Sequence, residues 1–574
     1  MHFEYKKLLP FDQMPYERPD LKAKAKALEE MTQAFEAAPN VQEQIRLYNE
    51  IEVLQAHMNT LETLVQVRHS IDSTDEFYKA EKAYFEEDMP HLALASSRFY
   101  KVLLESPWLK ELEAELGTET INQHKCKLRI ISPEILEDLT LEDRLVNEYE
   151  NLLANGEIEY EGQRYALSQF VHPLQSTDRE ERRKGHEARE AFFLAQEKKF
   201  DELYDQLVQV RHRIAQKLGF ENFIEVAYLR LGRTTYGPKE VQAYRDQILR
   251  DLVPYTTQLA ARHAKRIGLS PETFRYIDGT LSYKTGNAKP VGTPDEIVEE
   301  AGLMYDDLMP QTGEMFRMMR ENGLMDLLAK KGKHGGGYMT MLMDYGVPFL
   351  FANFNGTQHD IEVMTHEAGH CFQGYMSRNN RTLSDLSPTL EACEIHSMSM
   401  EFLTWPYMER FFKEQTEKFK FSHLSGALTF IPYGVTVDEF QHYVYANPQA
   451  TPEERKAKWH EIEKKYRPYL NYEGFEHLER GAFWHRQSHI FSHPFYYIDY
   501  TLAQIVALQY WKWSCENREA ALKSYVRLCE DGGRFDFVTL VKRAGLTTPF
   551  EDGTVAEVAQ SCQAVLNQID DEAF

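Results

Sequence analysis

Residues 335–370 read GGGYMTMLMDYGVPFLFANFNGTQHDIEVMTHEAGH, the most specific pattern in the chain. Its first part carries β-branched and aromatic residues and ends in an Asn-Gly turn at 355–356, which predicts a strand. Its second part predicts a helix that begins near Gln358, with Thr357 as its cap and Asp360 completing an acidic variant of a capping box. We therefore expect a strand to run alongside this helix.

The predicted helix contains the motif His366-Glu367-Ala368-Gly369-His370. Two histidines four residues apart share one helix face, so both imidazoles can bind one zinc ion. Glu367 is placed to act as general base on the attacking water rather than as a ligand. Gly369 costs about 1 kcal/mol inside a helix, which indicates that another backbone, a substrate or a neighbouring helix passes close by. Because so short a motif also arises by chance, a third ligand has to support it.

A second predicted helix, TLEACEIHSMSMEFLTW at 389–405, supplies candidates for that ligand. The serine and proline at 387–388 predict its cap and first residue. Glu391, Glu394 and Glu401 share one face, and the residues between them are apolar, as is typical of a buried helix. A buried helix keeps carboxylates only where they are paired or bind a metal, whereas the alternative is a solvated acidic stripe. The residues alone leave the choice among the three open.

These motifs resemble those of the oligoendopeptidase F and thimet oligopeptidase family of zinc metallopeptidases, whose third ligand is a Glu about two dozen residues after HExxH. Glu394 lies twenty-four residues after His370. The family pattern Glu-x-x-Ser-Met-x-x-Glu is matched by Glu394, Ser397, Met398 and Glu401. The resemblance implies that Glu394 is the ligand and that Glu401 contacts a ligand rather than the metal. It also covers DYGVPFLFANFNGT and HIFSHPFYYIDY and, more weakly, the N-terminal half.

The segment RQSHIFSHPFYYIDYTLAQ at 486–504 is rich in groups that can donate hydrogen bonds to an oxyanion. Its candidate donors are His489, His493, Tyr496, Tyr497 and Tyr500. Taken alone, the tyrosines also fit an aromatic packing helix that begins near Pro494. The family resemblance implies that His489, Tyr497 and Tyr500 contact the substrate and the transition state.

The rest of the chain predicts a mainly α fold. Helical spacing runs from about residue 18 to 143, as in YNEIEVLQAHMNTLETLVQVRHSI at 48–71, and again from about 178 to 266. Between them, EIEYEGQRYALSQF at 157–170 predicts a hairpin that turns at its Glu-Gly pair. We divide the chain into an N-terminal helical lobe, 1–160, and a zinc metallopeptidase catalytic region, 161–574. The resemblance implies two helical lobes around a deep cleft, with a small sheet beside the zinc helix.

Charge and composition narrow the partners and the compartment. A net charge of −25 argues against nucleic acid or an anionic membrane as the main partner. The chain shows no long apolar window and no secretory signal, and its six cysteines form no CxxC pair, so we predict a cytoplasmic protein. Cys371 and Cys393 adjoin the candidate ligands in sequence, but helical neighbours point elsewhere, and their role stays open.

The sequence thus predicts a zinc-dependent endopeptidase that hydrolyses short peptides, with one zinc per chain. The strand FANFNGT at 351–357 is predicted to bind peptide as an edge strand. One alternative is a helical scaffold or peptide-binding protein with a structural zinc, against which the intact Glu367 argues. Another is a zinc hydrolase that acts on something other than peptides. Cleavage preference, physiological substrate and oligomeric state stay open.

Overall fold

The computed structural model describes residues 4–383 and 385–574 and has the mainly α fold that the sequence predicted. The helices are α1 Leu21–Glu36, α2 Val41–Ile71, α3 Glu76–Leu104, α4 Leu109–Leu116, α5 Thr118–Arg129, α6 Leu136–Ala154, α7 Arg179–Lys217, α8 Phe223–Arg230, α9 Pro238–Gln247, α10 Val253–Arg266, α11 Pro294–Leu308, α12 Pro310–Glu321, α13 His359–Ser377, α14 Leu390–Leu403, α15 Glu409–Phe412, α16 Thr416–Ala446, α17 Pro452–Tyr466, α18 Glu476–Glu479, α19 Ser488–Ser492, α20 Tyr497–Glu516, α21 Arg518–Asp531, α22 Phe537–Arg543 and α23 Thr554–Leu566. The strands are β1 Glu157–Tyr160, β2 Gln163–Ala166, β3 Met325–Leu328, β4 Tyr338–Leu342 and β5 Val347–Phe354. Among the helices of the described residues, none is long and apolar enough to cross a membrane.

The first five helices surround a core of their own. Asp20 and Asn40 accept backbone N–H groups in the first turns of α1 and α2, which satisfies donors that a helix start leaves unpaired. Ile51 and Met58, from the predicted apolar stripe of α2, are buried in this core. Helix α6 instead packs on α7, and Tyr149 lies in the larger core, which also contains buried residues of the HExxH helix. The division at residue 160 stays a prediction.

The predicted hairpin is present. Strands β1 and β2 pair antiparallel, with Tyr160 opposite Gln163. The two turn residues between them, Glu161 and Gly162, both have positive φ, at 51° and 76°. Two successive left-handed residues suit the right-handed twist of a tight hairpin, so the Glu-Gly pair is the local cause of this turn.

The sheet beside the motif helix has the order β3-β5-β4, and this arrangement contradicts the predicted edge strand. Strand β5, which contains most of FANFNGT, is the central strand, with β3 parallel on one side and β4 antiparallel on the other. The sequence missed β3 because its MDLL segment directly follows a helical pattern, and a parallel partner is not marked by a local turn. Any peptide added to this sheet would have to pair with β3 or β4.

Helix α13 carries the HExxH motif and begins at His359, one residue after the predicted start. The predicted cap is wrong, because Thr357 Oγ1 donates to Asn355 and no side chain caps this helix start. Asp360 instead accepts the backbone N–H groups of Asn355 and Gly356, so it closes the turn that leads from β5 into the helix. The motif is thereby held at a fixed distance from the sheet.

Helix α14 is buried, as predicted, and crosses α13 closely. Its first residue is Leu390 and its cap position is Thr389, so the predicted start at the serine and proline lies too early. A Cβ added to Gly369 would come within 2.6 Å of the His396 carbonyl and the Ser397 Cα. Gly369 is therefore required by backbone contact between the two helices that carry the candidate ligands.

Candidate active site

His366, His370 and Glu394 form a cluster that could hold a metal ion, with one ligand atom from each residue lying within 4.8 Å of the others. Oε2 of Glu394 lies 3.3 Å from Nε2 of His366 and 3.5 Å from Nε2 of His370. Burial would raise the pKa of Glu394, but the two imidazoles hold it well below its usual range. The carboxylate therefore stays charged, as a ligand must.

Glu401 stands behind this cluster and connects it to a second histidine. Nδ1 of His366 lies 2.7 Å from Oε1 of Glu401, and Nε2 of His423 lies 2.7 Å from Oε2. Although burial alone would raise the pKa of Glu401, its hydrogen bonds with His366 and His423 lower it to about 2. Glu401 is thus an acceptor only, so His366 has a proton on Nδ1, and in its neutral form the lone pair on Nε2 is available for a metal.

The proton position on His423 follows from Trp405. The indole N–H of Trp405 donates to Nδ1 of His423 at 2.9 Å, so the proton of the neutral imidazole is on Nε2, facing Glu401. Neither residue belongs to a motif that the sequence marks. Trp405 lies two residues after the end of α14 and His423 lies on α16, so their contact depends on how these two segments pack.

The carboxylate of Glu394 has further partners on its own helix and on the tyrosine segment. Tyr496 donates to Oε1 at 2.6 Å, and Ser397 donates to Oε2 at 3.0 Å. The sequence offered Tyr496 among the candidate donors but did not assign it this contact. It lies just before α20, where Phe495 has a left-handed φ of 68° and brings the segment toward α14.

Glu367 lies next to this group of possible metal ligands. It is on the face of α13 that lines the adjoining cavity, which we call the main cavity. It is only 7% exposed. Burial raises its pKa, while the imidazoles of His366 and His370 lower it to a smaller extent. A carboxylate with a raised pKa, next to a group of possible metal ligands and beside a cavity, is suited to accept a proton and pass it on.

His489 and Tyr500 face the same cavity, with Nε2 of His489 lying 3.5 Å from the Tyr500 hydroxyl. Tyr433 donates to the amide oxygen of Gln487, whose amide nitrogen contacts Nδ1 of His489 at 2.8 Å. Because an amide nitrogen only donates, the proton of His489 is on Nε2, directed toward the cavity. Burial, followed by the charge of His493, lowers the pKa of His489 to about 4, so it is a neutral donor at pH 7.

Tyr497 also lines the cavity and packs its ring against Phe430 and Tyr433, with centroids 5.7 and 5.6 Å away. Burial raises the pKa of Tyr497 and of Tyr500, so both phenols keep their protons. His493 is exposed and contacts the Ser492 hydroxyl. The aromatic segment thus presents one imidazole and two phenols to the cavity.

The remaining candidates lie outside the cluster. Glu391 is buried beside Arg233 and Tyr236, and burial raises its pKa. Cys371 is buried, and Cys393 donates to the Pro388 carbonyl at 3.4 Å. Among the described residues, the group of possible metal ligands contains neither cysteine.

The main cavity has a volume of about 650 Å³ and lies between α13, α14, α16 and α20. Besides the site residues, its lining includes Gly337, before β4, and Val363, on α13. A Cβ on Gly337 would meet Val363 at 2.8 Å and lie 3.4 Å from Oε1 of Glu367. The glycine therefore lets the β4 edge of the sheet approach the face of α13 that carries Val363 and Glu367.

Comparison with known proteins gives matches over most of the chain. The sequence model of Peptidase family M3 matches residues 311–560, and that of the Peptidase M3 N-terminal domain matches residues 11–131. The solved structure of Pz peptidase A with an inhibitor is 48% identical in sequence and has a TM-score of 0.95. The match covers 98% of this chain and 100% of the Pz peptidase A chain. An oligoendopeptidase F from Enterococcus faecium, at 15% identity, covers 96% and 99% with a TM-score of 0.63 and shows the shared fold.

Two curated relatives are named oligoendopeptidase F homologs. The one from Borreliella burgdorferi is 24% identical over 235 residues, which are 38% of this chain and 39% of the relative. The one from Mycoplasma genitalium is 22% identical over 339 residues, which are 54% of this chain and 55% of the relative. The matched parts thus span less than two thirds of either relative.

Proposed function

The chain belongs to peptidase family M3, and from this premise we propose that it is a zinc-dependent endopeptidase that hydrolyses short peptides. One observation carries the proposal. The ligand atoms of His366, His370 and Glu394 converge next to a cavity into which Glu367, His489 and Tyr500 also face. A structural zinc site would have no use for a buried base or for donors on the opposite wall.

The donor set fits one zinc ion per chain. Two imidazole nitrogens and a carboxylate oxygen leave a fourth position open, as in catalytic zinc sites. Tetrahedral zinc with bonds of about 2.1 Å separates its ligand atoms by about 3.4 Å. Oε2 of Glu394 lies 3.3 and 3.5 Å from the two Nε2 atoms. When bound, zinc would polarise the scissile carbonyl and make water more acidic.

Glu367 acts as the base in this proposal. It takes a proton from the attacking water and passes it to the nitrogen of the leaving amine, so the peptide C–N bond breaks without a covalent acyl intermediate. Its raised pKa makes Glu367 a better proton acceptor, and the carboxyl group can hold the proton until the more basic nitrogen of the leaving amine takes it. Glu401 keeps the neighbouring His366 in the tautomer that frees Nε2.

His489, Tyr497 and Tyr500 supply hydrogen bonds to the carbonyl oxygen as it becomes negative. The neutral imidazole has its proton on Nε2, and both phenols are protonated, so all three groups can donate hydrogen bonds without a change of protonation state. His489 has its orientation set by Gln487, so this donor is directed before substrate binds. Preorganised donors of this kind lower the barrier because little has to move during the reaction.

The cavity dimensions support short peptides as substrates. A space of about 650 Å³ between helices admits a few residues of extended chain, whereas a folded domain would not enter. The open edge beside this space belongs to β4, which could align a peptide through backbone hydrogen bonds. Such contacts favour broad sequence tolerance.

We also infer a cytoplasmic location and no nucleic-acid partner. All six cysteines are free, which suits a reducing compartment. The net charge of −25 opposes binding to phosphate backbones.

The test is to incubate the purified protein with a mixture of short peptides and with a folded protein. We expect internal cleavage of the peptides, loss of cleavage with a chelator and recovery when zinc is returned. Cleavage that survives complete removal of metal would contradict the zinc proposal. Processing of the folded protein at a comparable rate would contradict the restriction to short peptides.

A further inference from the structure

A second cavity, of about 350 Å³, adjoins the main one. The two cavities share Ser282, Ser422 and Gly426 in their linings. Gly426 lies in the middle of α16, and a Cβ there would meet no described atom within 4 Å. Packing therefore does not require this glycine, although it costs about 1 kcal/mol relative to alanine in a helix. The glycine keeps the boundary that the two cavities share free of a side chain.

Arg467 contributes a cation to the second cavity. Its guanidinium centre lies 5.1 Å from the ring centroid of Tyr433 and 5.8 Å from that of Phe483, contacts that hold the planar group in place. Nη1 donates to Glu463 at 3.2 Å. Nε is buried and has no hydrogen-bond partner among the described residues. The protein thus leaves part of the donor capacity of this guanidinium unused.

The other basic groups that line the second cavity would not compete with Arg467 for an anion, because one is already paired and the other is neutral. Arg266 is already bound to the Ser282 carbonyl and to Asp571, each at 2.6 Å. His263 lies against the Leu281 carbonyl at 2.7 Å, and burial lowers its pKa to about 4, so it is neutral at pH 7. Among the described residues that line the cavity there is no Asp or Glu, although the chain carries a net charge of −25. A cavity of this kind is electrostatically suited to an anion.

We propose that the second cavity binds a carboxylate of the peptide substrate, with Arg467 as its partner. This inference rests on the proposed peptidase function and adds a specificity site to it. A substrate would lie across the metal cluster and pass Gly426, so that one carboxylate reaches the guanidinium. Arginine binds carboxylates through parallel hydrogen bonds, which gives this contact directional selectivity. The carboxylate comes from the peptide C terminus or from an acidic side chain.

Four quenched fluorescent peptides of one parent sequence distinguish the two sources. The C terminus is free or amidated, and a single glutamate is retained or replaced by glutamine. For the wild type, removing the carboxylate that the cavity binds should lower kcat/KM about tenfold, as expected for a charged hydrogen bond. Loss on amidation identifies the C terminus, and loss on the glutamine replacement identifies the side chain. In Arg467→Gln the discrimination should disappear.

The matched control is Arg480→Gln, which removes the same charge from an exposed ion pair with Glu197. It should keep the full discrimination. Because Arg467 packs on Tyr433, its replacement could also disturb the residues around His489. Gly426→Leu therefore provides a second, independent test of the carboxylate site. Leucine should narrow the passage and abolish the discrimination, whereas Gly426→Ala should retain it.

Equal kcat/KM for all four peptides in the wild type would overturn the inference and leave the peptidase proposal intact. A uniform fall for all peptides in Arg467→Gln, with discrimination unchanged, would overturn it as well, because the arginine would then act only on packing. If no peptide is cleaved with zinc present, the peptidase proposal fails instead. Fluorescence anisotropy of the same labelled peptides with Glu367→Gln then decides the carboxylate site by binding alone.

Discussion

The hydroxyl of Tyr496 donates a 2.6 Å hydrogen bond to Oε1 of Glu394, the carboxylate whose other oxygen faces the two motif histidines. The two residues are separated by 102 positions in the chain. The bond joins the tyrosine segment to α14 and leaves Oε2 of Glu394 facing the two histidines. We therefore expect metal affinity to depend on this hydrogen bond.

Replacing Tyr496 with Phe removes this hydrogen bond while keeping the ring that packs on Tyr500. We expect zinc affinity to fall by about 10- to 100-fold, since partners of metal ligands contribute that much elsewhere. Competition with a chelator measures the effect, and Tyr525→Phe is the matched control because its hydroxyl binds a backbone carbonyl of α14 instead. Unchanged affinity in Tyr496→Phe would mean that this bond does not orient Glu394.

Glu367→Gln keeps the shape of the side chain and removes the proposed base. Zinc content should stay at one per chain, while kcat should fall by several orders of magnitude, because a base rather than a ligand is lost. Elemental analysis and steady-state kinetics on one short peptide provide the two readouts. His370→Ala serves as the contrasting variant, since it should lose metal and activity together. Near-normal kcat in Glu367→Gln would assign the base to another residue.

Trp405→Phe tests the proton arrangement behind His366. Without the indole donor, Nδ1 of His423 no longer has to accept, and the proton of His423 is no longer held toward Glu401. We expect weaker zinc binding, by about tenfold, with little change in KM. Trp513→Phe is the matched control, since that indole lies outside this chain of hydrogen bonds and packs on Tyr510. Equal zinc affinity in both variants would show that the tautomer of His423 has no influence on the metal.

Buried neutral histidines predict acid sensitivity of the fold. Burial lowers the pKa of His124 to about 3 and that of His186 to about 3, against an ordinary value of 6.5. Below pH 6.5 the unfolded chain therefore binds protons that the folded chain does not, so these groups make the free energy of unfolding fall as the pH drops from 6.5 toward 3. Above pH 6.5 they add no dependence.

The measurement compares urea unfolding of the wild type and His124→Phe between pH 7.5 and pH 4.5. Phenylalanine keeps a ring for stacking on Tyr100 and cannot bind a proton. The variant should lose less stability on acidification than the wild type, whatever its stability at pH 7.5. Glu52 contributes a pH dependence of the opposite sign. Burial raises its pKa to about 7, so its protonation increases the free energy of unfolding as the pH falls. Parallel curves for the two proteins would show that His124 does not contribute.

The sequence predicted those parts of the structure that depend on local patterns. Helical spacing, the hairpin turn and the pairing of His366 with His370 on one face all follow from residues a few positions apart. The choice of Glu394 over Glu391 came from the family resemblance, and the structure brings Glu394 to the histidines and leaves Glu391 beside Arg233. Spacing alone could not make that distinction, because both carboxylates lie on the same buried helix.

Contacts between distant segments could not be predicted in this way. Strand β3 joins β5 through parallel pairing, so the sequence wrongly left β5 at an edge. His423 reaches Glu401 from a different helix, and Gln487 gains its role only through Tyr433. Each of these residues is unremarkable in its own neighbourhood. The contacts of His423 and Gln487 depend on how distant helices pack, and a short sequence motif does not predict such packing.

Tyr497 and Tyr500 both line the cavity, where their hydroxyls could donate to substrate or their rings could simply pack. If their hydroxyls donate to the developing oxyanion, each Tyr→Phe change should lower kcat by about a hundredfold or more and leave the thermal midpoint nearly unchanged. The closer link of Tyr500 to His489, at 3.5 Å, predicts the larger loss for Tyr500→Phe. A packing role predicts normal kcat, because phenylalanine keeps the ring contacts of Tyr497 with Phe430 and of Tyr500 with Tyr496.

Tyr433→Phe separates direct donation from positioning. It removes the hydroxyl that binds Gln487, so it should disturb His489 without removing a donor from the cavity wall. We expect a smaller fall in kcat than in Tyr500→Phe, and the fall should be absent in a His489→Ala background, where there is no imidazole left to orient. The measurements are kcat, KM and thermal midpoint on one short peptide for each variant. If Tyr497→Phe and Tyr500→Phe both retain normal kcat, His489 is left as the single side-chain donor proposed here, and His489→Ala should then carry the whole loss of activity.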